Sequence, residues 1–323
     1  LELPTPSGTQ QTATLAFDTN KDGIDDFVIT DRSTQPSVVW YESSDNGSWL
    51  RHVVEPDGLK IEAGGTYTDI DGDGDDDIVF GGDVSSNRIW WWENPYPDFS
   101  SRWTRRFIKN SGSNKHHDQM FGDFDGDGRD ELASWNQGSS QLLLFEIPQN
   151  PKNTEPWSSI SIASASGSHE GMAVLDVDGD GTEDIIGAGR WYKHGGGNQY
   201  TEYIVDVNQT FGRAAAGQFI QGGFAELVFG PGDNSGDLEF YRYDGNGNWL
   251  ATLLKSGVDH GHSLHVADFD GDSNLDIFCA EMRLNGGNSD AKSWVFYGDG
   301  NGNFTETIVS EGIGNHESRP ADL

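Results

Sequence analysis

Five nine-residue segments carry the pattern Asp-x-[Asp/Asn]-x-Asp-x-x-x-[Asp/Glu], a spacing of oxygen donors that suits a hard cation. The first offers Asp18, Asn20, Asp22 and Asp26, with the Ile24 carbonyl at position 7. The second offers Asp69, Asp71, Asp73 and Asp77 with the carbonyl of Asp75, and the third Asp123, Asp125, Asp127 and Glu131 with that of Arg129. The fourth has Asp176, Asp178, Asp180, Asp184 and the Thr182 carbonyl; the last has Asp268, Asp270, Asp272, Asp276 and the Asn274 carbonyl. Clustered carboxylates on a tight glycine-rich turn suit calcium, so about five structural Ca2+ sites are expected. An EF-hand would need a bidentate Glu at position 12 and flanking helices. Position 12 is instead Ile29, Phe80, Ser134, Gly187 or Cys279, inside short apolar runs that read as strands.

The histidines supply a second kind of chemistry. Counted back from the first loop Asp, His116 and His169 stand at −7, and His117, His262 and His316 at −6, the last relative to Asp322. Asp118, Glu170 and Glu317 each follow one of these histidines. The same frame brings Arg190, Arg213 and Arg319, the turn Trp135-Asn136-Gln137, Asp233, and Glu281-Met-Arg283 to the same ends of their repeats. Imidazole is a base suited to neutral pH, and a guanidinium or a divalent ion stabilises a developing enolate. His116, His117, His169, His262, His316, Glu170, Glu317, Arg190 and Arg213 are therefore the catalytic candidates. Trp135, read as a loop residue, and Asn136, Arg283, Arg319 and Glu281 are the substrate-binding candidates. Imidazoles beside carboxylates can also hold one further divalent ion. The plainer reading is that each histidine caps a turn or bonds to the next repeat.

These residues need a scaffold that repeats. The markers 18, 69, 123, 176 and 268 lie about fifty residues apart, with a double gap filled by Gln218–Glu226, which keeps the frame but loses the carboxylates. Each period holds a strand into the loop (Ser263–Ala267), a strand out (Leu275–Ala280), an aromatic strand (Val38–Tyr41, Ile89–Trp92, Leu142–Phe145, Leu238–Tyr241, Trp294–Tyr297) and a β-branched or alternating one (Trp49–Val54, Trp103–Ile108, Asn303–Val309). Four antiparallel strands per period predict an all-β chain, a β-propeller of four-stranded antiparallel blades. Blades are expected to start near residues 12, 62, 116, 169, 211, 260 and 315, within one domain spanning 1–323.

The loops and their strand context resemble the FG-GAP/VCBS-type repeats of calcium-binding propellers, the blade type also found in integrin α-chain heads. That resemblance implies seven blades. Six are complete in this sequence and the seventh has only its first strand near Glu317–Leu323, so further residues beyond Leu323 are expected to complete it.

The formal net charge is −33, with 53 acidic against 20 basic residues, and nineteen of those acids are loop ligands. Five calcium ions would leave about −23, a charge that repels nucleic acid. Cys279 is the single cysteine, so metal ions rather than disulfides are the expected staples, and a secreted or periplasmic setting supplies the calcium. No apolar run is long enough for a membrane-spanning helix. The segments His116-His-Asp-Gln, His169-Glu-Gly, Asp259-His-Gly-His-Ser-Leu and Asn315-His-Glu-Ser resemble a histidine-rich subgroup of secreted VCBS proteins. That subgroup resembles the propeller domain of fungal aldos-2-ulose dehydratase and, more loosely, the propeller polysaccharide lyases. It implies a lyase that eliminates a group from a keto-sugar or uronic-acid oligo- or polysaccharide, with one of the five histidines as base or metal ligand. The alternatives are a non-catalytic glycan- or protein-binding propeller and, third, a glycoside hydrolase using two of Glu170, Glu281 and Glu317.

Overall fold

The computed structural model describes residues 10–43, 47–164, 169–283, 287–314 and 316–321. The seventh marker, Asp322, and the expected blade start at 315 lie outside them. The described strands form six four-stranded sheets, each a meander in which strands adjacent in sequence are adjacent in space. The sheets are β1–β4 (Gln11–Phe17, Asp26–Asp31, Val38–Glu42, Leu50–Glu55), β5–β8 (Thr66–Thr68, Asp77–Gly81, Ile89–Glu93, Thr104–Lys109) and β9–β12 (His116–Gly122, Glu131–Asn136, Gln141–Glu146, Ser159–Ser164). Then follow β13–β16 (Ala173–Leu175, Asp184–Gly187, Arg190–His194, Tyr200–Ile204), β17–β20 (Gly212–Gly217, Glu226–Pro231, Ser235–Tyr243, Trp249–Asp259) and β21–β24 (Ser263–Ala267, Asp276–Ala280, Lys292–Gly298, Phe304–Glu311). The fold is a β-propeller of four-stranded antiparallel blades, with six blades among the described residues. No helix among them is long and apolar enough to cross a membrane.

Two compact units share these sheets. One holds Leu1–Phe121, Leu132–Ile160 and Arg319–Leu323; the other holds Gly122–Glu131 and Ser161–Ser318. In the first, Leu15, Val28 and Trp40 of one blade pack on Ile78, Phe80, Trp90 and Trp92 of the next. In the second, Val228, Leu238 and Phe240 pack on Ile277, Cys279, Trp294 and Phe296. The aromatic third strands thus fill the spaces between blades, where bulky rings bury the most apolar area. Fourth strands carry the wet edge: nearly every residue of β16 and β24 is partly or fully exposed.

The acidic segment is the connection between first and second strands. The residue before position 1 pairs with position 9 in Phe17↔Asp26, Thr68↔Asp77, Leu175↔Asp184, Gly217↔Glu226 and Ala267↔Asp276. Positions 1–8 are therefore a hairpin loop at one end of the first strand. The histidines, with His116 opening β9 and His262 just before β21, stand at the other end of the same strand.

Candidate functional site

Each loop is wound on its first aspartate. Asp268 Oδ1 accepts the Gly271 and Asp272 amides at 2.7 and 3.1 Å, and Oδ2 accepts that of Ser273 at 2.9 Å. Asp69 does the same for Gly72, Asp73 and Gly74, and Asp176 for Gly179, Asp180 and Gly181. The turn needs left-handed backbone at positions 4 and 6, as in Gly179 (φ +75°) and Gly181 (φ +92°), which glycine adopts at little cost. Position 9 is buried and latches the loop from below. Asp77, Glu131, Asp184 and Asp276 accept the amides of Ile70, Phe124, Val177 and Phe269 at 3.2, 3.0, 2.9 and 2.8 Å. Asp26 accepts the Ser43 amide at 2.8 Å.

Positions 1, 3 and 5 converge. In Asp69/Asp71/Asp73, Asp123/Asp125/Asp127 and Asp176/Asp178/Asp180, one oxygen from each residue lies within 4.8 Å of the others. Asp26 Oδ2, Asp178 Oδ1 and Asp184 Oδ1 are buried without a hydrogen-bond donor. Burial pushes the carboxyls of Asp26 up to about 6 and of Asp184 up to about 7. Buried carboxylate oxygens lacking donors, clustered on a turn, fit a hard divalent cation. Arg129 pairs its guanidinium with Asp127 at 3.0 Å, so only its carbonyl is available to such an ion.

Two loops carry an ammonium that the sequence reading did not include. Lys152 Nζ lies 2.8 Å from Asp71, 3.3 Å from Asp73 and 2.9 Å from Glu93. Lys193 Nζ pairs with Asp178 and lies 2.7 Å from Asp180. Burial alone would lower the Lys193 ammonium, yet the two carboxylates hold it above the usual lysine range. The signal was present: Lys193 follows Trp191-Tyr192 where Glu42 and Glu93 follow their own aromatic pairs.

At the histidine end of the first unit, His117 Nδ1 and Asp118 Oδ2 are 2.6 Å apart, both nearly buried. Asp118 has φ +48°, and a Cβ on Gly64 would lie 2.5 Å from its Cα, so glycine at 64 admits this backbone. Glu62 sits on Arg32, and burial raises its carboxyl while His117 opposes the rise. Arg319 donates to Gly65 O at 3.0 Å. His116 is fully buried beside Asn136 Nδ2 (3.1 Å to Nε2), and burial, aided by Lys109, pushes its imidazole down to about 3. Trp135 corrects the sequence reading. β10 runs through Asn136, so Trp135 is a strand residue at 1% exposure rather than an open stacking platform. Asn136 is equally buried, bonding the Ser113 carbonyl and the Ser139 amide.

In the second unit, Glu170 is fully buried and accepts the Asp233 amide at 3.1 Å. A Cβ on Gly232 would fall 1.5 Å from Glu170 Oε1, so this approach requires glycine. His262 Nε2 lies 3.8 Å from Glu170 and 3.6 Å from Asp233, and its ring is 4.5 Å from that of His316. Glu170, His262, Asp233 and His316 thus meet. Arg213 lies buried in β17. His169 faces the Thr210 carbonyl, and burial lowers its imidazole. Arg190 pairs with Glu202 at 3.1 Å, and its charge also acts to lower the His169 imidazole. Glu281 accepts the Asp259 and Lys292 amides at 2.8 and 2.9 Å, a bracing role. Arg283 is exposed and Glu317 partly so. His260, paired with Asp259 at 2.7 Å, was not singled out by its frame position.

Comparison with known proteins matches this geometry at the level of fold. Virginiamycin B lyase from Staphylococcus aureus, in an inactive form with quinupristin, is 12% identical at a TM-score of 0.57, over 95% of this chain and 86% of that one. AofleA from Arthrobotrys oligospora is 11% identical at 0.51, over 95% and 87%. The Vibrio cholerae biofilm matrix protein Bap1 is 17% identical at 0.47, and 77% of this chain spans 41% of that protein's length. No curated protein matches the chain. The FG-GAP-like repeat profile matches residues 69–134, 123–187 and 222–279, together more than half of the sequence. The chain belongs to the FG-GAP-like repeat family.

Proposed function

We propose that this propeller is a secreted carbohydrate lyase, with calcium in its acidic loops and a histidine base at the opposite end of a first strand. The observation that carries the reading is the His117–Asp118 pair at 2.6 Å. A carboxylate on Nδ1 fixes the tautomer and stabilises the imidazolium, which directs proton uptake to Nε2. In β-elimination, His117 takes the proton on the carbon next to a uronate or keto group. The C–H electron pair becomes the new C=C bond, and the oxygen on the adjacent carbon leaves with the pair of its C–O bond. His116 is a poor base here, because burial keeps it neutral far below neutral pH. The group around Glu170, His262 and Asp233 is positioned to hold a sugar hydroxyl or one further divalent ion. Glycoside hydrolysis is less well supported, since Glu281 and Glu170 spend oxygens on backbone amides.

A panel of uronic-acid and keto-sugar oligosaccharides, followed by the absorbance of an unsaturated product, tests the reading. His117→Ala should lower kcat about 10²–10⁴-fold, as loss of a general base does. Binding on a glycan panel without turnover of any member would replace the lyase with the second reading, a glycan- or protein-binding propeller.

A further inference from the structure

The loops differ in the charge that faces them from the third strand. In that strand, the residue opposite position 9 is Glu42, Glu93, Lys193, Arg242 or Tyr297, as the pairs Phe27↔Tyr41, Ile78↔Trp92, Ile185↔Tyr192, Leu227↔Tyr241 and Ile277↔Phe296 place it. Glutamate there adds acid to the cluster. Lysine does the reverse. Lys193 reaches the carboxylates at positions 3 and 5, Asp178 and Asp180, the groups that a divalent ion in this loop would need. The Asp268–Asp276 loop of the same unit has uncharged Tyr297 at that place. In the first unit Lys152 also enters a loop, but Glu93 joins Asp71 and Asp73 around it, so one ammonium meets three carboxylates.

We infer that Lys193 is a tethered counter-cation that folds the Asp176–Asp184 loop without a divalent ion and makes it a weak calcium site. An ammonium fixed on a neighbouring strand is present at high effective concentration, and an incoming ion must displace it before reaching Asp178 and Asp180. Among the described residues, the third-strand place facing the loop at 268–276 holds uncharged Tyr297 rather than a lysine, so this loop depends on the ion for the same work. This inference rests on the calcium reading of the acidic loops, and it grades them: one acidic loop is self-neutralised while the loop at 268–276 responds to calcium.

Amide hydrogen exchange on the full chain tests this, measured in calcium and in excess chelator. Gly179, Gly181 and Thr182 should keep their protection within about twofold on chelation, while Gly271, Ser273 and Asn274 should lose about tenfold or more. Lys193→Met should transfer the calcium response to residues 176–184, and calcium titration of that variant should reveal about one additional tight site per chain. Equal loss of protection in both loops of the natural sequence would overturn the role of Lys193, as would an unchanged Lys193→Met titration. If neither loop responds to calcium, the calcium reading itself falls and takes this inference with it.

Discussion

Two hairpin loops of the second unit, Gln218–Glu226 and Asp268–Asp276, solve one problem with opposite chemistry. Both close on a buried position-9 carboxylate: Glu226 accepts the Phe219 and Ile220 amides at 2.9 and 3.0 Å, and Asp276 accepts Phe269 and Gly298 at 2.8 Å each. They part at position 1. Asp268 gathers three amides, whereas Gln218 Nε2 donates to the Ile220 carbonyl at 2.5 Å. The left-handed residues move from positions 4 and 6 to Gly222 and Gly223 at positions 5 and 6. Position 9 therefore serves the hairpin whatever stands at positions 1, 3 and 5, where the carboxylates of three of the acidic loops converge. A loop without those carboxylates keeps the glutamate, and places a side-chain N–H against a backbone carbonyl.

The largest effect expected from this contrast is that of calcium removal. With the ion at about 100 times its Kd, each occupied loop contributes about 2.7 kcal/mol. Excess chelator should then lower Tm by on the order of 10 °C for several occupied loops. Elemental analysis must confirm that the metal has left; an unchanged melting curve with the metal gone would remove the cation from positions 1, 3 and 5.

Next come the latches. Glu226→Ala strands one buried and one partly buried amide and should cost about 2–4 kcal/mol by denaturant unfolding, equally in calcium and in chelator. Asp276→Ala should cost about the same in chelator and more in calcium, because a ligand goes with the latch. If Glu226→Ala proves neutral, or its cost depends on calcium, the division of labour between position 9 and the other positions is wrong. Asp268→Ala should be milder, about 1–2 kcal/mol in calcium, its amides lying at an exposed turn where water replaces the carboxylate.

The same division explains how much was legible in the sequence. The loop frame and the strands it joins follow from local pattern: Ser263–Ala267 is a strand as read, and position 9 closes each hairpin because the two-residue strand period fixes its face. The frame puts Glu170, His262 and His316 at equivalent places in their repeats, but which of the rim residues meet is set by packing. The place of Trp135 did not follow from the frame, because strand or turn at that point depends on how far β10 stays paired with β11, a non-local matter. The His117–Asp118 bond was hidden for another reason. Consecutive residues of an extended strand point to opposite faces, and only the left-handed backbone of Asp118 beside Gly64 brings the two side chains together. Lys152 was hidden too, since it stands in the short turn Pro151–Asn153 and its meaning lies in the loop it reaches, whereas Lys193 was legible from its place after an aromatic pair.

The smallest effect expected comes from turning one loop partway into the other. Gln218→Asp restores an acceptor at position 1 but removes the donor that now faces the Ile220 carbonyl. Exchanging one hydrogen bond for another at a solvent-exposed turn should change stability by less than about 1 kcal/mol. It should also create no calcium response, because positions 3 and 5 remain Ile220 and Gly222 and offer no carboxylate. Arg242, which acts on Glu226 from the third strand, adds positive charge to the same place. If Gln218→Asp alone gave this loop calcium-dependent amide protection, a single aspartate and the backbone carbonyls would suffice to bind the ion. The contrast would then lie in position 1 rather than in the cluster.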